Sequence, residues 1–79
     1  MRLDKYLKVS RLIKRRTVAN EACDAGRVTV NGRIAKAGTD IKPEDEISIV
    51  FGDKTVSVKV LSVAETVKKE EAREMYAYI

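Results

Sequence analysis

Histidine is absent from the sequence, and cysteine occurs once, as Cys23. Without histidine the chain lacks the commonest general base and every Ser-His or Cys-His nucleophile pair. A single cysteine excludes an internal disulfide, and without histidine it also lacks the usual partners of a zinc site. We therefore expect a protein that is not an enzyme and that holds no metal or other cofactor. Cys23 itself is predicted to be a small buried residue on a helix.

Long apolar runs and glycine-rich phosphate loops are missing as well. No stretch approaches the roughly 18 apolar residues of a membrane span, and the charged first residues do not resemble a signal peptide. The length of 79 residues suits one domain, and a hydrophobic fraction of 44% is typical of a folded chain. We expect one cytoplasmic domain over residues 1–79, with no membrane or small-molecule partner. Its core is predicted over about 2–51, followed by a hairpin and a helix over 52–79.

Acidic residues are scarce in the first part of the chain. Residues 1–36, called the basic half below, contain ten basic and three acidic side chains, a formal charge of +7. Residues 37–79 contain six basic and nine acidic side chains, a formal charge of −3. The five cations between Lys8 and Arg16 have no acid among them, so no local ion pair offsets their repulsion. Such a run can be a solvated face, but the lack of compensation favours an external polyanion, with nucleic acid the first candidate.

Two helices are predicted in the basic half. The spacing of Leu3, Tyr6 and Leu7 predicts an amphipathic helix over residues 2–9. A second helix is predicted between Thr17, a candidate N-cap, and Gly26, a typical helix stop. The cations at positions 14–16 oppose the dipole of this second helix at about 0.3–1 kcal/mol each. The same helix end offers free N–H groups to a phosphate, so the local penalty indicates function.

Antiparallel strands are predicted in the middle of the chain. The dipeptide at 31–32, Asn-Gly, predicts a tight hairpin between residues 27–30 and 33–35. After a turn at Pro43, the alternating residues of 46–51 and 55–60 predict a second hairpin packed on one face.

The end of the chain is predicted to be helical. Ala72, Met75, Tyr76 and Ile79 have helical spacing, which predicts an amphipathic helix over residues 66–79. This helix either docks on the sheet or binds a partner with Tyr76 and Tyr78 as anchors. The fold class is therefore α+β.

Three segments together resemble the S4-type RNA-binding domain: Arg2-Leu-Asp-Lys-Tyr-Leu, the basic loop that ends at Arg16, and Gly26-Arg-Val-Thr-Val-Asn-Gly32. In that family an opening Arg-Leu-Asp, an arginine before the second helix and a Gly-x-Val-x-Val-Asn-Gly hairpin occur in this order. The resemblance covers residues 2 to about 51. It implies two N-terminal helices packed on a small antiparallel sheet, with a C-terminal helix.

Two groups of free-standing S4 proteins are similar to this chain, namely the small bacterial heat-shock S4 proteins and the shorter ribosome quality control protein P family. The chain has no long basic C-terminal extension of the heat-shock type, so it is more similar to the second group. That resemblance implies binding to rRNA and peptidyl-tRNA on a large ribosomal subunit split from a stalled ribosome. It also implies assistance to a partner that adds a C-terminal tail to the nascent chain.

The candidate RNA-binding residues come from the resemblance and from the charge pattern. The family's RNA surface maps onto Arg2, Lys5, Arg11, Arg15, Arg16, Arg27 and Asn31. The charge pattern and the opening motif add Lys8, Lys14, Arg33 and Asp4. We expect Arg2 and Arg16 to be the principal contacts, because a guanidinium offers planar, bidentate donors. Asp4 either holds a neighbouring arginine or caps the first turn, and Asn31 is expected to serve its turn more than the RNA.

Other functions remain open from the sequence. The chain could be a free-standing regulator, or a module that targets an enzyme to another structured RNA, since S4-like domains accompany pseudouridine synthases and tyrosyl-tRNA synthetases. It could also be a protein-interaction module that uses its acidic half. No exposed aromatic platform is expected, so recognition of RNA shape is predicted to outweigh base stacking.

Overall fold

Two N-terminal helices and a five-stranded antiparallel sheet share one hydrophobic core in the computed structural model, which describes all 79 residues. The helices are α1 (Leu3–Val9), α2 (Arg16–Asp24) and α3 (Lys69–Ala72), which runs into a 3₁₀ turn (Arg73–Met75). The strands are β1 (Val28–Val30), β2 (Arg33–Ile34), β3 (Glu46–Phe51), β4 (Lys54–Val60) and β5 (Tyr76–Tyr78). Their order in the sheet is β2-β1-β3-β4-β5. The predicted α+β fold class is confirmed.

The core forms where the two helices meet the central strands. Leu3, Tyr6 and Leu7 of α1 are fully buried, as are Ile47 and Ile49 of β3. Residues from both parts of the chain join this single buried cluster, which includes Val58, Val60 and Met75 from beyond the predicted core. Cys23 is buried on α2 as expected, and burial raises the pKa of its thiol to about 11, so the sulfur stays protonated near neutral pH.

The turns adopt the backbone conformations that their residue types favour. Gly26 has a φ of 73° just after the last turn of α2, the left-handed conformation that glycine adopts without a steric penalty. Asn31 and Gly32 have φ values of 53° and 83°, and Val30 pairs with Arg33 across them. Positive φ at both central residues defines the tight hairpin turn that the Asn-Gly pair predicted.

The start of α2 differs from the prediction. Arg15, not Thr17, occupies the N-cap position, its backbone is extended, and no side chain caps the helix. Side-chain contacts fix the start of α2 instead, because Arg16 and Asn20 both donate from its first turns to Asp4 of α1.

The predicted helix over residues 66–79 is wrong for most of its length. Regular α-helix covers only Lys69–Ala72, and the residues after Met75 form a strand instead. Tyr76 pairs with Val60 and Tyr78 pairs with Val58, so β5 is an edge strand hydrogen-bonded to β4. Two residues at the predicted spacing, Ala72 and Met75, are buried, which explains the helical pattern. None of the helices is long and apolar enough to cross a bilayer.

Candidate nucleic-acid interface

A buried carboxylate lies at the centre of the basic half. Asp4 is 2% exposed and accepts five hydrogen bonds. Arg2 donates twice, from Nε at 3.1 Å and from Nη2 at 3.3 Å, and Arg16 donates from Nε at 3.3 Å. Asn20 donates from Nδ2 at 3.4 Å, and the backbone N–H of Lys5 at 2.8 Å. The set Arg2, Asp4, Arg16 and Asn20 is called the Asp4 cluster below.

The cluster fixes both the ionisation of Asp4 and the position of two arginines. Burial raises the pKa of the Asp4 carboxyl, but the hydrogen bonds from Arg2, Arg16 and Asn20 outweigh burial and lower it to about 2. Asp4 is therefore an anion at neutral pH, and it holds two guanidinium groups that are each about half exposed. The sequence left two roles open for Asp4, holding an arginine or capping the first turn. In the structure Asp4 contacts Arg2 and Arg16, and it also accepts a hydrogen bond from the backbone N–H of Lys5 in the first turn of α1.

The loop between β2 and β3 also contacts the segment that carries Arg2. Backbone N–H groups of Leu3 and Asp4 donate to the carbonyls of Thr39 and Ala37. This contact places Gly38 against the Arg2 guanidinium, whose atoms lie 3.7–3.9 Å from the point where a Cβ at position 38 would be. These are ordinary van der Waals distances, so the backbone at Gly38 packs beside the Arg2 guanidinium while it reaches Asp4.

A second set of cations surrounds a groove next to α1. Lys8, Arg11 and Lys14 line this space of about 260 Å³, called the basic groove below, together with Val9 and residues 65–67. None of the three cations forms an ion pair in the structure. Arg11 has a φ of 64°, a conformation that few non-glycine residues adopt and that turns the chain between the two helices. The three unpaired cations give this groove a net positive charge, with Glu65 the one acid on its lining.

Some predicted residues make contacts within the protein instead. Lys5 forms an ion pair with Glu65. Asn31 donates to Asp45 at 3.1 Å and accepts from the backbone N–H of Glu46 at 2.9 Å, so its side chain ties the β1–β2 turn to β3. This bonding agrees with the expectation that Asn31 serves its turn.

Three other predicted residues lie outside both sets of contacts. Arg15 is exposed at the N-cap of α2, and Arg33 is exposed on the edge strand β2. Arg27 lines a separate, mainly apolar groove between α2 and the β3–β4 turn. None of the three shares a hydrogen bond or a groove with the Asp4 cluster.

Sequence reasoning missed some features of this surface. Asn20 could have been found from its spacing, because it lies one helical turn after Arg16 and shares its face of α2. The approach of Gly38 to Arg2 has no local signal in the sequence. Two aromatic side chains are exposed, Tyr78 at 71% and Phe51 at 42%, but they lie on separate strands and neither belongs to the basic half. Tyr78 lies on the edge strand β5 and Phe51 lies at the end of β3, where neither side chain is covered.

Fold and site together define a small α+β RNA-binding domain, in which paired arginines and unpaired cations occupy the N-terminal helices. Residues 1–47 match the family model described as S4 domain, and the chain belongs to that family. The resemblance drawn from the opening motif, the arginine before α2 and the hairpin is confirmed.

Comparison with known proteins gives close relatives along the whole chain. A protein of Halalkalibacterium halodurans named RQC P-site tRNA stabilizing factor is 63% identical over 76 residues, covering 96% of this chain and 86% of its own length. A Bacillus subtilis protein of the same name is 57% identical over 79 residues, covering 100% of this chain and 92% of its own. Among solved structures, the trimeric heat shock protein 15 of Vibrio cholerae superposes with a TM-score of 0.92 at 25% identity, covering all of this chain and 81% of its own.

Proposed function

We propose that this protein binds the RNA of a large ribosomal subunit that still carries tRNA and acts in ribosome quality control. The observation that carries the proposal is the Asp4 cluster, in which a buried anion holds Arg2 and Arg16 half exposed. A guanidinium fixed by one carboxylate keeps further donors for a phosphate or a base edge. Because the arginines are ordered before RNA arrives, less side-chain entropy is lost on binding.

The distribution of charge supports binding to a polyanion over a wide surface. The Asp4 cluster, the basic groove and the exposed Arg15 all belong to the two N-terminal helices and their connection. Counterion release from RNA then favours association at each phosphate that these cations neutralise.

The ribosomal target rests on the relatives. Proteins that are 57–63% identical to this chain are named for stabilising tRNA in the P site, within RQC. We infer the same target here: contact with both rRNA and P-site peptidyl-tRNA on a split large subunit in the cytoplasm. In that position the protein assists a partner that extends the nascent chain with a C-terminal tail, and it catalyses no reaction itself.

Sedimentation of the tagged protein through a sucrose gradient tests the proposal. We expect wild-type protein in lysate to migrate with large subunits that carry tRNA, and nuclease treatment to release it. Arg16→Ala should shift most of the protein to the top of the gradient, because one fixed guanidinium is lost. Arg73→Ala is the matched control, since Arg73 is exposed, forms no ion pair and lies outside the basic half.

The alternative functions predict other patterns. Wild-type protein that stays at the top in every lane would exclude the ribosome as the target. A smaller RNA that is captured with the tagged protein would then indicate a free-standing regulator.

A further inference from the structure

An open surface groove adjoins the Asp4 cluster on the side of α2. It has a volume of about 420 Å³, and it is lined by Asp4, Arg16, Thr17, Asn20 and Glu21, none of which is a hydrophobic residue. The groove therefore has room for one unpaired base beside the arginine that is proposed to contact RNA.

Glu21 is an unexpected residue on this wall. Its carboxylate is exposed and makes neither an ion pair nor a side-chain hydrogen bond, whereas Asp4 below it is saturated with donors. A free carboxylate on an RNA-binding surface repels phosphates, which opposes the attraction of the neighbouring cations. The repulsion is offset if the carboxylate accepts a hydrogen bond from a donor group of the RNA.

The second acceptor in the groove is Asn20. A carboxylate can only accept, so the amide nitrogen of Asn20 faces Asp4, and its oxygen is left without a partner in the structure. Arg16 likewise uses Nε for Asp4, which leaves its terminal nitrogens and one flat face available. The groove thus combines two free acceptors with a guanidinium plane on which a base can stack.

Two acceptors select the edge of the base that enters. Adenine, cytosine and guanine carry an exocyclic amino donor, and uracil presents carbonyl oxygens at the corresponding positions. We propose that this groove binds one unpaired RNA base that carries an exocyclic amino group, with Glu21 and Asn20 accepting from it and Arg16 stacking on the ring. The proposal rests on the RNA binding proposed above and adds base selectivity to it.

The test uses short fluorescent oligouridines with one central base replaced by adenine or by purine, which is adenine without its amino group. We expect fluorescence anisotropy to give about tenfold tighter binding to the adenine oligonucleotide than to the purine one, a size that one good base contact can supply. Both oligonucleotides keep the same phosphates and 2′-hydroxyls, so the difference isolates the amino group.

Variants of Glu21 distinguish base recognition by its carboxylate from electrostatic repulsion of the RNA phosphates. Glu21→Ala should weaken binding of the adenine oligonucleotide, remove its advantage over purine and tighten binding of plain oligouridine. Glu21→Gln should admit uracil, since an amide donates as well as accepts. Asp24→Ala is the matched control, because it removes an exposed acid of the same helix that does not line the groove, and it should tighten all oligonucleotides equally.

Equal binding of adenine and purine, or uniform tightening in Glu21→Ala, would overturn base selectivity and leave RNA binding intact. If no oligonucleotide binds even at low salt while a labelled tRNA still binds, this proposal fails and the RNA binding proposed above stands; if the tRNA does not bind either, both fail.

Discussion

At the scale of single residues, Asp4 has the largest influence on the site. Its position in an Arg-Leu-Asp opening was visible in the sequence, but its burial and its hydrogen bonds from Arg16 and Asn20 depend on the packing of α2 against α1. A buried charge contributes little net stability by itself, but removing it leaves its partners unbalanced. Under the proposed function, Asp4 contributes to RNA binding through Arg2 and Arg16, the arginines that it positions.

Asp4→Asn tests this positioning through the pH dependence of stability. The pKa of Asp4 falls from about 3.8 to about 2 on folding. Ionised Asp4 therefore stabilises the folded state fully above the unfolded pKa of about 3.8, and this stabilisation is lost as the pH falls through the folded pKa of about 2. We expect chemical denaturation to show wild-type stability dropping across this window and a smaller drop in the variant. At neutral pH the variant should lose about 1–3 kcal/mol of unfolding free energy, because charged hydrogen bonds are removed.

Asp40→Asn is the control for that experiment. Asp40 pairs with the N-terminal amine at 2.7 Å, but its side chain is 85% exposed, so the variant should change stability much less than Asp4→Asn. If the stability of Asp4→Asn depended on pH in the same way as that of wild type, the arginines would not be held by this carboxylate.

At the scale of elements, local signals and long-range pairing were predictable to different degrees. The β1–β2 turn follows from Asn31 and Gly32, whose backbone preferences act locally. The segment after Met75 carries helical spacing and also the alternation of Tyr76 and Tyr78, and periodicity alone favoured the helix. Pairing with β4 decides the outcome, because it satisfies backbone groups that the sequence pattern does not show.

Tyr6 joins the C-terminal segment to α1. Its hydroxyl is buried and donates to the carbonyl of Met75 at 2.8 Å. Tyr6→Phe should destabilise the protein by about 1 kcal/mol, the usual net contribution of one hydrogen bond, and lower Tm by roughly 4–8 °C in calorimetry. Tyr78→Phe is the matched control, since the Tyr78 side chain is exposed. Equal Tm values for Tyr6→Phe and wild type would contradict a structural role for this bond.

At the scale of the whole molecule, charge is segregated along the chain while the core is shared. The basic half carries +7 and the remainder −3, yet buried residues of both parts form one cluster. Two ion pairs join the acidic and basic parts, Glu65 with Lys5 and Asp40 with the N-terminal amine. Seven of the ten basic side chains in the basic half form no ion pair, so the surface favours an external polyanion over internal neutralisation. This asymmetry could be counted from the sequence, whereas the selection of Arg2 and Arg16 as the fixed pair needed the fold.

The salt dependence of RNA binding tests the central claim most directly. The affinity of purified protein for a labelled tRNA would be measured over a range of salt concentrations for wild type, Arg2→Ala, Arg16→Ala and the control Arg73→Ala. If the two arginines of the Asp4 cluster contact phosphates, each substitution should weaken binding and reduce the slope of log affinity against log salt by about 0.7–0.9. Each arginine variant should also lower Tm, because the buried Asp4 loses charged hydrogen bonds, so the salt slope is the deciding measurement, and Arg73→Ala should match wild type in both. Slopes equal to wild type in both arginine variants would contradict the account and make these arginines structural.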